Sequence, residues 1–409
     1  MNDLRDDTRA TTGQPPPERP RVMLHGPEFQ RRPAELYRQI RAAHGPVAPI
    51  ELDGGLPAWF VLGYPEICQV TANPTLFSRD LRRWCSWEQV PSTSPIPPSA
   101  GDALNLLFTE GAEHQRRVEA VEDVLDGIDP FETRTGCEQI ADELVDGFAG
   151  DGHTDLIPRF ARELPLRVLA RLYGLDDGET ASLREGLAEG FEGHERLLTR
   201  MRGLTERKRE HPGPDLPSRL LAHPVALGDE ELPSELLLMF TTAHRSVADW
   251  VGTALRLILT EPRFATTSTG GPRSVDRVLT EVLWEDAPIQ NVLGRVATRD
   301  TDLGGQRIRT GDLLVLGVAA ANTSPRLRPG RCSDAVGNEA HLAFGRGERG
   351  CPHAAVELGR CMARTAVEVL LHRIPDLALA VPAEELTWEP SVWTRSVSSL
   401  PVRFTPIPG

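Results

Sequence analysis

The chain lacks the features that mark secreted, membrane-spanning and metal-cluster proteins. Its six cysteines are scattered over 409 residues. None forms a CxxC pair, and no cysteine–histidine run has zinc-finger spacing, which argues against a disulfide framework and a structural zinc site. No stretch approaches the ~18 consecutive apolar residues that a membrane-spanning helix needs. We therefore expect a cytoplasmic protein that has no membrane partner.

The chain also lacks net positive charge. Its 45 lysines and arginines face 59 aspartates and glutamates, which gives a formal net charge of −14. This balance argues against a nucleic-acid partner, although a local basic patch remains compatible with it. Residues 1–22 are charged and proline-rich without the apolar core of a signal peptide, so they are predicted to form a disordered N-terminal tail. Residues 23–409 are predicted to form a single domain.

Turn signals and the periodicity of apolar residues along the chain predict a mainly α fold with small β regions. Hairpin signals occur at Asp53-Gly54-Gly55 and at Gly304-Gly305, and a last strand is predicted near residue 402. Because these short strands come from distant parts of the chain, we expect one interleaved domain. Long helical patterns cover residues 136–149, 158–174, 178–209, 233–260, 273–285 and 352–373. The pattern at 233–260 is apolar on most sides, which is typical of a central, buried helix.

A glycine-rich loop ends in a cysteine at "HLAFGRGERGC", residues 341–351. A chance match to Phe344-Gly345-x-Gly347-x-x-x-Cys351 is on the order of one in a thousand for a chain of this length. Pro352 follows and opens a long helix, whose N-terminus is expected to lower the pKa of the thiol. A thiolate in such a loop is what a haem iron needs as its proximal ligand. The alternative is a structural cysteine beside a flexible turn.

This loop resembles that of the soluble bacterial branch of the cytochrome P450 family, and the resemblance runs from about residue 25 to the end. It implies that haem b lies between the long central helix and the cysteine loop with its following helix. It also implies that Cys351 ligates the iron, that Phe344 contacts the haem and that Arg349 binds a propionate. His353 stands where the family usually has glycine.

Two further segments resemble propionate-binding segments of the family. His114, in "EGAEHQRRVEAV", matches the propionate-binding histidine. The arginine expected four residues later is Val118, so Arg117 or Arg116 would have to replace it. Arg295, in "APIQNVLGRVATRD", matches another propionate-binding arginine. As a set around two carboxylates these cations are electrostatically reasonable.

One departure from the family concerns its Glu-x-x-Arg pair, which here reads Glu281-Val282-Leu283-Trp284. A buried carboxylate without its cation would cost several kcal/mol unless another donor replaced it. We predict that Arg331 reaches Glu281. An equal alternative is that Trp284 fills the vacated space. A subset of actinobacterial members has tryptophan at this position, and the chain resembles that subset.

The second departure lies on the central helix, where the chain reads Thr242-Ala243-His244-Arg245-Ser246. By resemblance, Ala243 leaves room for dioxygen and Ser246 keeps the hydroxyl of the family's proton relay. Arg245 inverts the charge of the family's acid, and His244 adds a group that titrates near neutral pH. The protons are therefore expected from Ser246 and water, from His244, or from a hydroxyl or N–H of the substrate.

The resemblance also predicts the substrate pocket. Its mostly apolar lining suits an aromatic or cyclic small molecule, although each tryptophan fits ordinary core packing equally well. The predicted lining residues are Trp84, Trp87, Phe240, Ile289, Asn291, Leu293, Ser396 and Val397.

The resemblance implies an oxidase or monooxygenase that uses dioxygen and electrons from a ferredoxin and its reductase. We expect a monomer that tailors an aromatic secondary metabolite by hydroxylation or by oxidative C–C or C–N coupling, for example of a tryptophan-containing cyclodipeptide. The alternative is a haem-binding regulatory accessory protein with little turnover. Arginines on segments expected beneath the haem are predicted either to dock the ferredoxin or to form a solvated face: Arg116, Arg117, Arg346, Arg349, Arg360 and Arg364.

Overall fold

Strands from opposite ends of the chain meet in one sheet of the computed structural model. The described residues are 22–24, 27–52, 54–91, 96, 105–190, 192–264, 272–324, 327 and 338–407. The strands are β1 (Val22–Met23), β2 (Val47–Leu52), β3 (Leu56–Val61), β4 (Phe77–Ser78), β5 (His153–Asp155), β6 (Val292–Ala297), β7 (Thr301–Leu303), β8 (Gln306–Ile308), β9 (Leu313–Leu316), β10 (Ala378–Leu379) and β11 (Pro401–Arg403).

The largest sheet has the order β1-β2-β3-β9-β6-β4. Strand β3 runs parallel to β9, with Trp59 opposite Leu314, and β9 runs antiparallel to β6. All four residues of β9 are buried, as expected for a strand covered on both faces. Both predicted hairpins are confirmed: Gly54 and Gly55 follow β2, and Gly304 and Gly305 join β7 to β8, all four with positive φ.

Helices make up most of the rest. They are α1 (Pro27–Arg31), α2 (Pro33–His44), α3 (Tyr64–Thr71), α4 (Gly111–Asp126), α5 (Pro130–Ala149), α6 (Glu163–Tyr173), α7 (Asp177–Ala188), α8 (His194–Glu210), α9 (Leu216–Leu221), α10 (Glu231–Thr260), α11 (Pro272–Glu285), α12 (Val318–Asn322) and α13 (His353–Arg373). Among the described residues, no helix has the length and apolar run that crossing a membrane requires. The predicted disordered tail covers residues 1–22, and all of these residues except Val22 lie outside the described ranges.

Helix α10 is the long central helix. Its 30 residues extend about 45 Å. It packs against α6, α8, α11 and α13, and Val251, Ala254 and Leu255 are fully buried. The apolar pattern at 233–260 therefore predicted both the helix and its central position.

The single helix predicted over 178–209 is two helices, α7 and α8. Gly190 takes a positive φ of 61° between them. A Cβ atom on Gly193 would come within 2.2 Å of the Gly186 carbonyl oxygen, so the two helix ends approach more closely than any side chain allows. The apolar periodicity continues across this break, which is why the sequence pattern did not reveal it.

Glu281, the glutamate of the altered Glu-x-x-Arg pair, forms an ion pair with an arginine. Arg263, which follows α10, places Nη1 3.2 Å from Oε1 of Glu281. The predicted partner Arg331 lies outside the described residues. Trp284 is 2% exposed. Its Nε1 donates to the Asn338 carbonyl at 3.0 Å, and its ring meets His341 edge-on with centroids 5.7 Å apart.

We predict that Trp284→Ala destabilises the protein by about 3–5 kcal/mol, because the substitution leaves a cavity in the core. Trp284→Phe keeps an aromatic ring but loses the hydrogen bond to Asn338, and should cost less. Urea titration followed by far-UV circular dichroism measures both variants. A loss below about 1 kcal/mol for the alanine variant would mean that Trp284 does not support this region.

Candidate active site

The cysteine loop folds back on itself. Gly345 and Gly347 have φ of 73° and 74°, a backbone conformation that favours glycine. The Cys351 N–H donates to the Phe344 carbonyl at 2.7 Å and closes the loop. Gly350 has an ordinary φ of −66°. Helix α13 then begins at His353, which is exposed. The loop therefore holds Cys351 at the N-terminal end of a long helix, as predicted.

A cavity of about 2000 Å³ opens above this loop. It is larger than the ~300–1,000 Å³ of an ordinary small-molecule pocket, so it has room for a flat macrocycle together with a substrate. Its wall includes the loop from Leu342 to Pro352, the helix stretch from Leu237 to Ala248, and the turn from Glu384 to Thr394. Phe344 lies in the wall and packs edge-on against Trp250.

Burial raises the pKa of the Cys351 thiol to about 11. This direction is opposite to the lowering expected at a helix N-terminus, since removal from water disfavours the charged thiolate. A metal cation at the sulfur would reverse the balance, since a coordinating thiol is deprotonated outright. Among the described residues, no three His, Cys, Asp or Glu side chains come together to bind a bare metal ion.

Cations crowd one end of the cavity. Arg79, Arg295 and Arg349 line it together with His114. Burial lowers the pKa of all three guanidinium groups, that of Arg295 to about 9, and the charge of Arg349 lowers the pKa of Arg79 and Arg295 further. Buried atoms Nε of Arg79 and Nε and Nη1 of Arg349 have no hydrogen-bond partner in the described structure.

Nearby carboxylates do not satisfy these cations. Glu110 accepts from the Arg79 backbone N–H at 2.6 Å and from the Ser78 hydroxyl at 3.0 Å. Glu348 comes no closer than 3.9 Å to Nε of Arg349. Buried, mutually repelling guanidinium groups with open N–H donors are what a site for carboxylates requires. The residues present thus fit a macrocycle that carries acidic side chains and a metal, which is the chemistry of haem.

Arg117 is not part of this cluster, which corrects its prediction as a propionate ligand. Its side chain is 4% exposed and binds three carboxylates, Glu113, Glu231 and Glu235, at 2.7–3.0 Å. The residue missed by sequence analysis is Arg79. It follows β4, which pairs with β6 beside Arg295. Because Arg79 is one of three arginines in "SRDLRR", only the strand pairing distinguishes it.

The altered stretch of α10 faces the cavity: Ala243, His244, Arg245 and Ser246 all line it. His244 is buried, and its Nε2 lies 3.1 Å from the Arg162 carbonyl oxygen. Burial lowers the pKa of His244 to about 4. The imidazole is therefore neutral near pH 7 and acts as a donor that holds Arg162, which does not support the prediction of a titrating relay.

Arg245 is neutralised by two carboxylates. Its Nε donates to Asp249 at 2.7 Å, and its Nη2 donates to Glu389 at 2.5 Å and to the Ser396 hydroxyl at 3.2 Å. Glu389 also pairs with Arg162. We call Arg162, Arg245, Asp249 and Glu389 the distal ion cluster. This cluster connects the central helix to the start of α6 and to the C-terminal turn. Glu389 of that turn thus supplies a carboxylate next to position 245, where the helix carries arginine and the family usually has an acid.

The predicted pocket residues divide into two groups. Ile289, Asn291 and Leu293 line the cavity. Asn291 donates from Nδ2 to the Val392 carbonyl at 2.7 Å, so its amide also holds the C-terminal turn. Sequence analysis missed Trp388 and Glu389, which lie in the wall as well.

The other five are corrected, since they pack behind the wall. Phe240 is fully buried against Tyr173, with ring centroids 5.1 Å apart. Trp84 and Trp87 belong to the core beside the large sheet. Ser396 binds Arg245, and Val397 forms a β-bridge with Trp388. Long-range packing decides which face of each segment meets the cavity, and the sequence does not give that face.

Most arginines expected to dock an acidic partner already bind carboxylates of the chain itself. Arg116 pairs with Glu113 and Glu231. Arg360 pairs with Glu339, and Arg364 with Glu368. Arg346 is exposed and contacts the Tyr64 hydroxyl at 3.1 Å. The face beneath the loop is therefore closer to neutral than its arginine content predicts.

Known proteins similar in sequence are bacterial cytochrome P450s. The cytochrome P450 monooxygenase PikC of Streptomyces venezuelae is 28% identical over 400 residues, which cover 93% of this chain and 92% of PikC. Biflaviolin synthase CYP158A1 of Streptomyces coelicolor is 28% identical over 417 residues, which cover 97% of this chain and 99% of the synthase. No protein-family model matches the chain.

Solved structures agree with this similarity. CYP154C4 from Streptomyces sp. ATCC 11861 has a TM-score of 0.82 at 25% identity, covering 94% of this chain and 98% of that chain. CxnD, a cytochrome P450 enzyme for C–S bond formation in chuangxinmycin biosynthesis, has a TM-score of 0.79 at 23% identity, covering 95% and 99%. The second likeness concerns the fold alone.

A thiol at the end of a glycine loop, in a large cavity with unpaired buried guanidinium groups, defines a haem-binding oxidoreductase. With the similarities above, the chain resembles bacterial cytochrome P450 monooxygenases over nearly its whole length, and haem b is the cofactor that this site fits.

We predict that Arg79→Gln speeds haem loss, because a buried donor for a carboxylate is removed. Arg117→Gln is the matched control, since Arg117 binds only carboxylates of the chain in the contacts described. Transfer of haem from the purified protein to apomyoglobin measures the rate by absorbance. Equal rates for Arg79→Gln and the wild type would contradict the placement of Arg79 at the haem.

We predict that Glu389→Gln lowers the thermal unfolding midpoint and weakens binding of aromatic ligands in the cavity. The substitution leaves Arg162 and Arg245 with one shared carboxylate fewer, which loosens the C-terminal turn. Glu385→Gln is the control, because Glu385 is exposed at the same cavity wall. Differential scanning calorimetry and ligand titration should show a loss for Glu389→Gln only.

Proposed function

We propose that the enzyme tailors an aromatic secondary metabolite by hydroxylation or by oxidative coupling. The observation that carries the proposal is the wall of the C-terminal turn, where Trp388 and Trp393 face the cavity beside Ile289 and Leu293. Aromatic and aliphatic walls of this kind favour a planar, apolar ligand. A tryptophan-containing cyclodipeptide is one aromatic substrate that we propose for this cavity.

The names of similar proteins support both outcomes. One relative is a biflaviolin synthase, and another, 26% identical, is a 2-hydroxy-5-methyl-1-naphthoate 7-hydroxylase of Streptomyces carzinostaticus. The second name describes hydroxylation of an aromatic acid. Both proteins align over most of this chain, 97% and 88%.

The chain's residues hold the cofactor and shape the pocket. Cys351 would ligate the iron, and Arg79, Arg295, Arg349 and His114 would bind the propionates. Haem in this setting supplies activation of dioxygen, and the proximal thiolate favours O–O cleavage. The apolar wall excludes water around the bound substrate.

Three side chains of the central helix bear on proton delivery. His244 is neutral and bound to the Arg162 carbonyl, and Arg245 is held by Asp249 and Glu389. Ser246 lines the cavity, and a serine hydroxyl can pass a proton from water. We therefore assign this role to Ser246 with water, or to a hydroxyl or N–H of the substrate itself.

Electrons are proposed to come from a ferredoxin and its reductase, with the enzyme acting as a monomer. The supporting feature is the exposure of Arg346, which belongs to the cysteine loop itself. Neighbouring arginines are paired within the chain. The rate of association with ferredoxin should therefore depend less on ionic strength than it would if these arginines formed an unpaired basic patch.

We predict turnover of an aromatic probe by the reconstituted enzyme. The holoenzyme is incubated with ferredoxin, its reductase, NADPH and either cyclo(Trp-Trp) or a hydroxynaphthoate under ¹⁸O-labelled dioxygen. Mass spectrometry distinguishes a labelled hydroxylated product from an unlabelled coupled product, and either one supports the proposal. Trp393→Ala should weaken probe binding, whereas Trp87→Ala, outside the cavity wall, should not. Tight binding with no product from either probe would instead support a haem-binding accessory protein.

A further inference from the structure

Two arginines of the distal ion cluster have hydrogen-bond donors that the protein does not use. Arg162 and Arg245 both line the cavity, and each side chain is 38% exposed. Arg162 binds Glu389 through Nη2 alone. Arg245 donates from Nε to Asp249 and from Nη2 to Glu389 and two hydroxyl groups. Nε and Nη1 of Arg162 and Nη1 of Arg245 therefore make no hydrogen bond within the part of the chain that the structure describes.

Contacts within the protein hold both arginines in place. Nε2 of His244 lies 3.1 Å from the carbonyl oxygen of Arg162. Asp249, one helical turn after Arg245, is buried and accepts from Nε of Arg245 at 2.7 Å. Glu389 bridges the two guanidinium groups, with Oε1 at Arg162 and Oε2 at Arg245. Because these donors are positioned before a ligand arrives, binding an acceptor costs them little conformational freedom.

The charges of the distal ion cluster balance. Arg162 and Arg245 carry two positive charges, and Asp249 and Glu389 carry two negative charges. Burial raises the pKa of Asp249 to about 6, which leaves its carboxylate mostly ionised at pH 7. The cluster thus offers open N–H donors to the cavity without a net positive charge.

A neutral oxygen atom suits this part of the wall better than an anion does. Glu163, which follows Arg162, is paired with Arg184 at 2.7 Å and leaves the balance unchanged. A ligand carboxylate would bring a further negative charge beside Glu389, and like charges repel strongly where water is scarce. A carbonyl oxygen accepts from a guanidinium group without adding charge.

We propose that Arg162 and Arg245 form a carbonyl site, which selects uncharged aromatic substrates with an amide or ketone group over aromatic carboxylates. This inference rests on the proposed function and narrows its substrate class. Trp388 and Trp393 line the same cavity and would contact the aromatic ring. Arg245 directly precedes Ser246 on α10, so a carbonyl group held here keeps the substrate beside the residue assigned to proton delivery. The amide groups of a cyclodipeptide fit this class, and a naphthoate does not.

Three ligands that share one ring system test the carbonyl site. They are naphthalene-1-carboxamide, 1-naphthoate and 1-isopropylnaphthalene, a hydrocarbon that resembles the amide in shape. Equilibrium dialysis against the holoenzyme at neutral pH measures the dissociation constant of each ligand. We expect the wild-type enzyme to bind the amide more tightly than the carboxylate.

Arg162→Gln separates a hydrogen-bonding role from a structural one. The variant should bind the amide about tenfold more weakly, because a hydrogen bond from a charged donor is lost. Its affinity for the hydrocarbon should not change, whereas a loosened pocket would weaken both ligands. Arg159→Gln is the matched control and should leave all three affinities unchanged. Arg159 lies three residues earlier, is exposed and does not belong to the cavity wall that the described residues form.

Glu389→Gln tests the charge balance. It leaves the cluster with one net positive charge, so the affinity for the carboxylate should rise relative to that for the amide. Comparing the two ligands in one variant removes any general effect of the substitution on the C-terminal turn.

The outcomes distinguish this inference from the proposed function. The carbonyl site is overturned if Arg162→Gln changes the amide and hydrocarbon affinities equally or changes neither, or if the wild-type enzyme binds the carboxylate more tightly than the amide. The aromatic preference of the cavity would then still stand, because the hydrocarbon binds. Failure of all three ligands to bind the wild-type enzyme would overturn the proposed function and the carbonyl site with it.

Discussion

The buried guanidinium groups at one end of the cavity impose the strongest constraint on this structure. Arg79, Arg295 and Arg349 are desolvated and repel one another, and Arg79 and Arg349 retain N–H donors without partners in the described structure. Such an arrangement is costly unless acidic groups enter the cavity. Haem propionates would meet this need, and Cys351, which lines the same cavity, would hold the metal as a thiolate. Cofactor and cation cluster thus stabilise each other.

On the other wall of the cavity, by contrast, every charged side chain of the distal ion cluster is paired with a side chain of opposite charge. Arg245 occupies a helix position where the family usually has an acid, and Glu389 of the C-terminal turn restores a carboxylate next to it. The change of sign on the helix is therefore compensated by a segment some 140 residues away in sequence. One consequence is that the C-terminal turn is fixed to the central helix by charge as well as by apolar packing.

Local patterns predicted much of the fold and the chemical centre. Glycine pairs predicted the hairpins, apolar periodicity predicted the buried central helix, and the loop before Pro352 predicted the position of Cys351. The division of 178–209 into two helices was missed, because it depends on the contact of Gly193 with Gly186 rather than on periodicity. Arg117 and Arg79 were confused for a similar reason. Both are arginines near the expected segment, and only long-range contacts show that one meets carboxylates and the other faces the cavity.

By itself the sequence determined the class of protein, because a loop of glycines with a terminal cysteine and a following helix is a local arrangement whose chemistry is set by adjacent residues. The tertiary structure alone decided which side chains face the cavity, which arginines are neutralised and which cation replaces the missing partner of Glu281. These properties depend on the phase of a helix or turn against its neighbours and on charges brought together from distant segments. Desolvation, which sets the pKa of Cys351, His244 and Arg295, likewise exists only in the folded chain.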